Sequence, residues 1–507
     1  MSSIDLVETD PTAEARPAHT RVAIVGAGFS GIGAAIALQR EGIEFVIFER
    51  RGDYGGTWLD NTYPGCKCDV PSHLYSFSFA PNPNWTTTFS SQREIQEYLR
   101  NVVRRFDVAR HIRFRHDLLG AEWDETARVW RIATSGGSWT ADFLISACGA
   151  LSEPAWPRFE GMDSFRGTAF HSAAWDETYD LTGKRVAVIG TGASAIQFVP
   201  KIQPAVQQLY LFQRTPAWIL PHPEKPISAG RRAFYRRFPL AQRLIRWAIY
   251  WSDELLALIF TRYPRHAAWI KRHALRHLER QVTDPALREK LTPDYEPGCK
   301  RLLLSNDFYP AIAADNVELV TEPIARVGAH SLFTADGRER EIDAMILGTG
   351  FRVTDNPLAE RVRGSQGMSL ADVWREGAYS HRGTTVPGFP NLFLMTGPNT
   401  GIGHTSLLVM IEAQLAYVTA CLRWMEGRWA TFDVRPESCR AFNADLEQRM
   451  QRTIWMTGGC RSWYLDAQGR NTTLWPDFTW RYRRLMRRFD AANYSFAGAT
   501  KKPAATV

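Results

Sequence analysis

The sequence predicts an α/β fold built from two doubly wound, mostly parallel sheets, with a helical subdomain inserted in the second. Short apolar strands at 21–25 and 185–189 each run into a glycine-rich turn and then into an apolar helical pattern. Strand, glycine turn and helix in that order are typical of such sheets. Between 223 and 295 few turn signals occur, and this scarcity predicts the helical insertion.

The first glycine turn, Gly26-Ala27-Gly28-Phe29-Ser30-Gly31, has the spacing of a dinucleotide site. Its glycines allow a tight turn, a close approach to a pyrophosphate and close packing of helix on strand. The free N–H groups of the helix N-terminus favour the pyrophosphate anion. The next strand, 44–48, ends at Glu49, whose carboxylate binds ribose hydroxyls and repels a 2′-phosphate. A Rossmann-like site for FAD or NAD is therefore predicted, with contacts at Gly26, Gly28, Ser30, Gly31 and Glu49.

The second glycine turn, Gly190-Thr191-Gly192-Ala193-Ser194-Ala195, differs at the ribose position. Its following strand, 209–212, ends in Gln213-Arg214-Thr215 rather than in an acid. Because a guanidinium matches a phosphate with two parallel hydrogen bonds, Arg214 predicts a 2′-phosphate and hence NADPH. The predicted contacts are Gly190, Thr191, Gly192, Ser194, Ala195, Gln213, Arg214 and Thr215. Electrons are expected to pass from NADPH to a flavin.

Composition excludes several classes of protein. The 7 cysteines are few and odd in number, which predicts reduced thiols in the cytoplasm rather than a disulfide scaffold. No metal site is expected, since Cys66 and Cys68 have the wrong spacing for zinc or for a CxxC redox pair. Residues 1–19 lack the features of a secretory signal and predict a disordered lead-in, and 497–507 predict a disordered tail. No run approaches the roughly 20 apolar residues of a membrane span.

The net charge of +8 is concentrated in the helical region. Between Lys225 and Lys290 there are 15 lysines and arginines but 5 aspartates and glutamates. Solvated helix faces that attract an anionic cofactor explain this charge best, and no nucleic-acid partner is expected. Peripheral contact with an anionic membrane stays open as a hypothesis about location.

Two further segments match fingerprints of a known family. Phe165, Gly167, His171, Trp175 and Asp176 match the pattern FxGxxxHxxxW followed by Pro or Asp. The segment 55–69 matches a second pattern, a glycine pair running through Tyr-Pro-Gly to an aspartate. From about residue 20 to about residue 490 the chain resembles the type I Baeyer–Villiger monooxygenases, within the class B flavoprotein monooxygenases.

That resemblance implies an FAD-containing, NADPH-dependent enzyme that converts ketones and O2 to esters or lactones through a C4a-peroxyflavin. It implies that Arg301 is the catalytic cation and that Asp69 pairs with it beside the flavin. His171 is expected to be a hinge or coupling residue rather than a general base. The further contacts implied are Gly56, Thr57, Trp58, Asp69 and Tyr75 for FAD, and Lys67, Lys300 and Trp463 for NADP. Core packing stays open for Trp463, and a solvated turn stays open for Lys67.

The resemblance also implies the domain boundaries. An FAD-binding domain is expected to be split between 20–150 and 355–490. The NADPH-binding domain is expected at 157–222 and 296–346, and the helical subdomain, which helps to wall the substrate pocket, at 223–295.

The main alternative is a flavin monooxygenase that oxygenates nitrogen or sulfur centres. The Asp69–Arg301 pair favours the oxidation of ketones over this alternative, because a fixed cation stabilises a nucleophilic oxygen anion. A serine hydrolase is disfavoured because no GxSxG turn is present. A redox sensor is disfavoured because it needs no second nucleotide fold.

Overall fold

The computed structural model describes residues 17–353 and 358–498. Within them the strands are β1 (Ala18–Val25), β2 (Phe45–Glu49), β3 (Ile112–Phe114), β4 (Leu118–Asp124), β5 (Val129–Thr134), β6 (Gly137–Ser146), β7 (Thr168–His171), β8 (Arg185–Ile189), β9 (Gln208–Phe212), β10 (Ile219–Leu220), β11 (Leu303–Leu304), β12 (Val317–Val320), β13 (Ile324–Val327), β14 (Ser331–Thr334), β15 (Glu339–Glu341), β16 (Ala344–Leu347), β17 (Val362–Arg363), β18 (Leu392–Leu394), β19 (Thr431–Val434) and β20 (Tyr494–Ala497).

The α-helices are α1 (Phe29–Arg40), α2 (Thr57–Asp60), α3 (Gln92–Arg105), α4 (Ala195–Ile202), α5 (Ala229–Arg237), α6 (Pro239–Thr261), α7 (Ala268–Gln281), α8 (Pro285–Leu291), α9 (Phe308–Ile312), α10 (Leu358–Arg361), α11 (Leu370–Val373), α12 (Leu407–Met425), α13 (Pro436–Met450), α14 (Ile454–Thr457) and α15 (Thr479–Met486). Short 3-10 helices lie at Ala109–His111, Met162–Ser164, Ser172–Ala174, Pro264–Ala267, Ser365–Gly367 and Ala491–Asn493.

The first sheet combines strands from the N-terminal part of the chain with strands from beyond residue 360. Its strands follow the order β17-β4-β5-β6-β1-β2-β3, and β18 pairs with β6. The strands around the first glycine turn are parallel: β1 pairs with β2 and β6, and β18 pairs with β6. Because β17 and β18 come from beyond residue 360, this pairing supports a domain split along the chain.

The second sheet has the order β12-β9-β8-β16-β7, with all of its pairings parallel. Its strands β8, β9 and β16 are almost wholly buried, as expected where helices cover both faces of a parallel sheet. Together the two sheets confirm the predicted α/β fold class. The predicted strand 185–189 matches β8, whereas β1 begins at Ala18, three residues before the predicted start.

Three ranges predicted from the sequence need correction at their ends. Ala18 and His19 belong to β1 and not to a disordered lead-in. By pairing with β19, β20 extends the folded chain beyond the predicted limit of 490 and includes Ala497, the first residue of the predicted tail. The rest of the predicted lead-in and tail, apart from residues 17 and 498, lies outside the described residues.

The region 223–295 is helical, as predicted, and contains α5, α6, α7 and α8. Helix α6 buries polar as well as apolar residues and leaves large apolar residues exposed. Its inner face carries Gln242 and Glu254, which are almost fully buried. Its outer face exposes Leu240, Leu244 and Trp247 to solvent.

Helix α12 corrects the expectation that no segment is long and apolar enough to span a membrane. Its 19 residues meet both criteria, but 67% of the apolar window is buried inside the protein. It packs between α1 and α15. Burial of this kind identifies the core helix of a globular domain.

At Gly31 the first fold depends most strongly on a residue without a Cβ atom. An added Cβ would lie 1.9 Å from the carbonyl oxygen of Gly26, a backbone atom that no rotamer change can move. We expect Gly31→Ala to destabilise the protein by about 1–3 kcal/mol, because α1 must move away from β1. The midpoint of urea unfolding measures this change.

The matched control is Gly230→Ala in α5, where an added Cβ has no atom within 4 Å. Alanine favours a helix over glycine, so this variant should unfold at the same urea concentration or slightly higher. Equal midpoints for Gly31→Ala and the wild type would contradict the proposed close packing.

Candidate active site

The first glycine turn is held from both sides by backbone. Gly26 has a φ of +102°, and an added Cβ would lie 2.8 Å from the carbonyl oxygen of Ala147. Helix α1 begins directly after Gly28 without a side-chain cap, so its first N–H groups are free for an anion. Buried Glu49 accepts hydrogen bonds from the N–H of Ala27 at 2.7 Å and of Arg51 at 2.8 Å. Its carboxylate is thus fixed at the end of β2.

The second glycine turn repeats this geometry and leaves more open space. Gly190 has a φ of +105°, and an added Cβ would lie 2.6 Å from the carbonyl oxygen of Gly348. At Gly192 an added Cβ has no atom within 4 Å, so the backbone is open to a ligand. Ser194 precedes α4 without capping it, and Ala195 is fully buried at its start.

Two cations lie beside the second turn. Arg214 is exposed after β9, and its charge acts on Lys300. Burial first, and the charge of Arg214 second, lower the pKa of Lys300 below its ordinary value. Lys300 also lies over the ring of Tyr295, 4.8 Å from its centre. Like charges brought together in this way favour the binding of a phosphate.

Asp69 and Arg301 form a two-point ion pair. Arg301 donates from Nε to Oδ2 at 2.5 Å and from Nη2 to Oδ1 at 2.7 Å. The side chains are partly exposed, at 30% for Asp69 and 31% for Arg301, so the pair is accessible from solvent. Burial opposes ionisation of Asp69, but the charge and hydrogen bonds of Arg301 hold its pKa below the ordinary value. The charge of Asp69 in turn raises the pKa of Arg301.

A disulfide bond joins Cys299 to Cys460, with their Cα atoms 6.1 Å apart. The expectation that all cysteines are reduced is wrong for this pair. No sequence signal could reveal the bond, since 161 positions separate the two cysteines. The N–H of Glu296 also donates to the carbonyl of Gly458 at 2.9 Å. The loop that carries Arg301 is therefore tied to the loop that leads to Trp463.

The same C-terminal loop brings in Tyr464, a residue that the sequence analysis missed. Tyr464 is buried, and its charge interactions are with Arg301 and Asp69. Burial raises the pKa of this hydroxyl to about 12, so it stays protonated. Its neighbour Trp463 is 48% exposed, which rules out core packing for that side chain.

An aromatic cluster covers the first glycine turn. Trp58 donates from its indole Nε1 to the hydroxyl of Tyr75 at 2.9 Å. The Tyr75 ring in turn lies 5.4 Å from Phe29, the first residue of α1. Gly56, with a φ of +57°, approaches Gly28, and Thr57 begins α2 as an exposed residue. These residues border the space in front of the turn.

Other predicted contacts have protein partners. Lys67 forms an ion pair with Glu224 at 2.5 Å. Gln213 is buried and donates to the carbonyl of Lys290 at 2.7 Å. Thr191 donates to the carbonyl of Thr215 at 3.4 Å, which ties the second turn to the end of β9.

His171 lies where the linkers between the two sheets pass. Its ring packs against Trp156 at 5.9 Å and Phe351 at 6.0 Å, and its Nδ1 accepts from the N–H of Ala173. Burial lowers its pKa to about 4, so the imidazole is neutral. This placement supports a coupling role rather than proton transfer.

Two unusual features occur in the C-terminal half. Thr396 and Asn399 adopt left-handed backbone conformations, with φ of +54° and +57°, in the turn after β18. Such strain persists where function or packing demands it.

Glu254 of α6 lies 3.8 Å from buried His404 and accepts a hydrogen bond from the N–H of Thr479. The helical subdomain is thereby attached to the C-terminal segment.

The comparisons with known proteins agree with this geometry. The family model for flavin-binding monooxygenase-like proteins matches residues 19–243. A Baeyer–Villiger monooxygenase of Streptomyces coelicolor is 51% identical over 94% of this chain and 92% of its own length. The NADP+-bound structure of cyclohexanone monooxygenase from Rhodococcus sp. Phi1 matches with a TM-score of 0.85 and 27% identity, over 95% of this chain and all of that one. The structure of OTEMO with FAD and NADP matches with a TM-score of 0.84 and 26% identity, covering 94% and 99%.

Two dinucleotide folds that meet at an Arg–Asp pair define the class of flavin-binding oxidoreductases. With half of its residues identical to a relative along nearly its whole length, the chain belongs to the Baeyer–Villiger monooxygenase family.

The disulfide generates a test of how the two loops are held. Cys460→Ser removes a cross-link between positions 161 residues apart, and we expect a loss of about 2–4 kcal/mol in stability. Limited proteolysis should cleave the loop around Cys460 faster in this variant than in the wild type. Cys148→Ser, which changes a free cysteine, is the control.

A thiol titration of the denatured protein checks the bond itself. Without reductant we expect the five free cysteines to react, and with reductant all seven. Seven reactive thiols in the unreduced wild type would show that the bond does not form.

Proposed function

We propose that this protein catalyses Baeyer–Villiger oxidation with bound FAD and with NADPH. A ketone, O2, NADPH and a proton give an ester or lactone, NADP+ and water. The observation that carries this proposal is the two-point Asp69–Arg301 pair. One oxygen atom enters the product and the other leaves as water, and NADPH supplies both electrons.

The first fold fits FAD. The uncapped N-terminus of α1 and the close approach of Gly28 and Gly56 suit a pyrophosphate. The fixed carboxylate of Glu49 suits ribose hydroxyls. We assign the remaining contacts to Ser30, Thr57, Trp58, Asp69 and Tyr75. Trp58 and Tyr75 hold each other in place and give the site an apolar wall.

The second fold fits NADPH. Arg214 and Lys300 offer the double positive charge that a 2′-phosphate binds. The open backbone at Gly192 leaves room for the pyrophosphate. Exposed Trp463 is assigned to the nicotinamide side. The Lys67–Glu224 ion pair makes Lys67 the weakest of the assigned contacts.

When bound, reduced FAD supplies the activation of O2, which no side chain can perform. The chain supplies a fixed positive charge, since a guanidinium stays protonated at any working pH. Asp69 fixes the direction of Arg301 through two hydrogen bonds. Addition of an oxygen nucleophile to a ketone carbonyl creates an oxyanion, and a positioned cation stabilises it. Buried, protonated Tyr464 offers an O–H donor beside the pair.

Oxygenation of nitrogen or sulfur centres is the second candidate. The same cofactors serve both reactions, and soft heteroatoms need no anionic nucleophile. A cation as firmly fixed as Arg301 favours the ketone reaction, so heteroatom oxidation is proposed as a side activity.

The domain organisation and location are part of the proposal. An FAD-binding domain formed by 20–150 and 355–490 fits the first sheet, and an NADPH-binding domain formed by 157–222 and 296–346 fits the second. We place the enzyme in the cytoplasm, where NADPH is regenerated. A disulfide is uncommon there, so Cys299–Cys460 would be subject to reduction.

Arg301 provides the first test. Arg301→Ala should abolish ester formation, and Arg301→Lys should lower it by about 100-fold or more, because a lysine keeps the charge but loses the two-point geometry. Mass spectrometry of products from a panel of ketones, sulfides and amines measures both activities. Arg185→Lys is the control, since Arg185 makes a similar two-point pair with Asp343 outside the site.

Ketone oxidation that survives in Arg301→Ala would refute the assignment of this residue. Sulfoxides or N-oxides as the sole wild-type products would move the enzyme to the second candidate.

Gly192 tests the cofactor site without disturbing the fold. Gly192→Ala adds a methyl group that meets no protein atom within 4 Å, so the unfolding midpoint should not change. The methyl group takes the space assigned to the pyrophosphate, and we expect NADP+ to bind about tenfold more weakly, a loss of about 1.4 kcal/mol. Isothermal titration calorimetry on the FAD-loaded protein measures the Kd. Unchanged affinity would show that the nucleotide does not pass over Gly192.

A further inference from the structure

The outer face of α6 carries a continuous apolar stripe, defined here as Leu240, Leu244, Trp247, Trp251 and Leu255. These side chains recur every three or four positions and therefore lie on one side of the helix. They are between 41% and 70% exposed. The stripe spans about 22 Å at 1.5 Å per residue. Isolated exposed apolar residues are ordinary, but a row of five large ones marks a binding surface.

The stripe is not the side of α6 that packs against the rest of the protein. The opposite side of α6 already packs inward through Gln242, Tyr250 and Glu254, which are all buried. Gln242 donates to the carbonyl of Asn82 at 2.6 Å, and Tyr250 shares a hydrogen bond with Thr479. The inner face is therefore fully engaged, and the stripe must face outward.

Positive charge surrounds the start of the stripe. Arg231, Arg236, Arg237 and Arg243 are exposed, and none of them forms an ion pair with a described residue. Arg243 lies three positions after Leu240 and four before Trp247, so it borders the stripe directly.

The aromatic residues extend this surface at its N-terminal end. Phe234 of α5 and Phe238, which joins α5 to α6, are both exposed, with ring centres 5.1 Å apart. The two acids of α6 lie away from the stripe: Glu254 is buried, and Asp253 is half-buried on the inner side. The outer surface thus combines leucine, tryptophan and phenylalanine with arginine and with no acid of α6.

We propose that this face of α5 and α6 binds the surface of an anionic lipid bilayer, with α6 lying parallel to the membrane plane. Leucine and tryptophan along one side, bordered by arginine, are the composition of an interfacial helix. Arginines near such a surface are attracted by anionic headgroups. A second copy of the chain fits less well, because a two-fold contact places the same patch against itself and brings the arginines together.

Vesicle binding tests the proposal on the full-length, FAD-loaded protein. We expect the wild type to sediment with phosphatidylcholine vesicles that contain phosphatidylglycerol, and far less with phosphatidylcholine alone. The triple variant Leu244→Ser, Trp247→Ser, Leu255→Ser should bind about tenfold or more weakly, because it removes the apolar anchor. Leu119→Ser, at an exposed leucine on β4, is the apolar control and should bind as the wild type does.

A charge variant separates the two contributions. Arg237→Glu with Arg243→Glu should lose about tenfold or more in affinity for the anionic vesicles. The matched control, Arg93→Glu with Lys184→Glu, changes two exposed cations outside α5 and α6 and should keep wild-type binding. FAD content and Tm, measured for each variant, identify any that misfold.

Two outcomes would overturn the proposal. A wild type that stays in the supernatant with anionic vesicles at low salt has no such membrane surface. A wild type that is dimeric in light scattering, becomes monomeric in the triple variant and ignores vesicles uses the stripe to bind a second copy. Because none of these measurements uses enzymatic activity, they are independent of the proposed reaction.

Discussion

The contact between Asp69 and Arg301 is the constraint on which the rest of the site depends. A carboxylate and a guanidinium are each costly to place in a partly buried cleft, and either alone would be a strongly unfavourable charge. Their two-point contact offsets that cost and fixes the direction of the cation. The pair forms only if the loop after the first glycine fold reaches the loop after the helical subdomain. The contact on which the proposed chemistry rests therefore also links segments of the two nucleotide folds.

A disulfide bond helps to keep that contact in place. The Cys299–Cys460 disulfide joins the residue two positions before Arg301 to the loop of Trp463 and Tyr464. Buried Tyr464 then lies beside the ion pair, and its neighbour Trp463 is exposed. Three segments from separate parts of the chain are thus brought to one place. Each of them is a loop, and loops positioned by rigid sheets commonly carry function.

The helical subdomain contains a helix, α6, whose buried face combines polar and apolar side chains. The buried face of α6 accommodates Gln242, which donates to the carbonyl of Asn82, and Glu254, which accepts from the N–H groups of Thr479 and Trp480. Tyr250 and Phe260 are buried on the same side of the helix, whereas Leu244 and Trp247 remain exposed on the other. Helix α6 is thus attached to the rest of the protein by one side and leaves an apolar surface on the other.

The sequence by itself determined the α/β class, the two glycine turns and the difference between Glu49 and Arg214. Local chemistry decides these features, since a strand, a tight turn and a helix N-terminus need only neighbouring residues. It also indicated the Asp69–Arg301 pair, through fingerprints read together with a family resemblance. The tertiary structure alone decided the disulfide, the position of Tyr464 and the ion pair that engages Lys67. Those depend on which distant loops meet, and no periodicity or spacing along a chain records a contact between residues 161 positions apart.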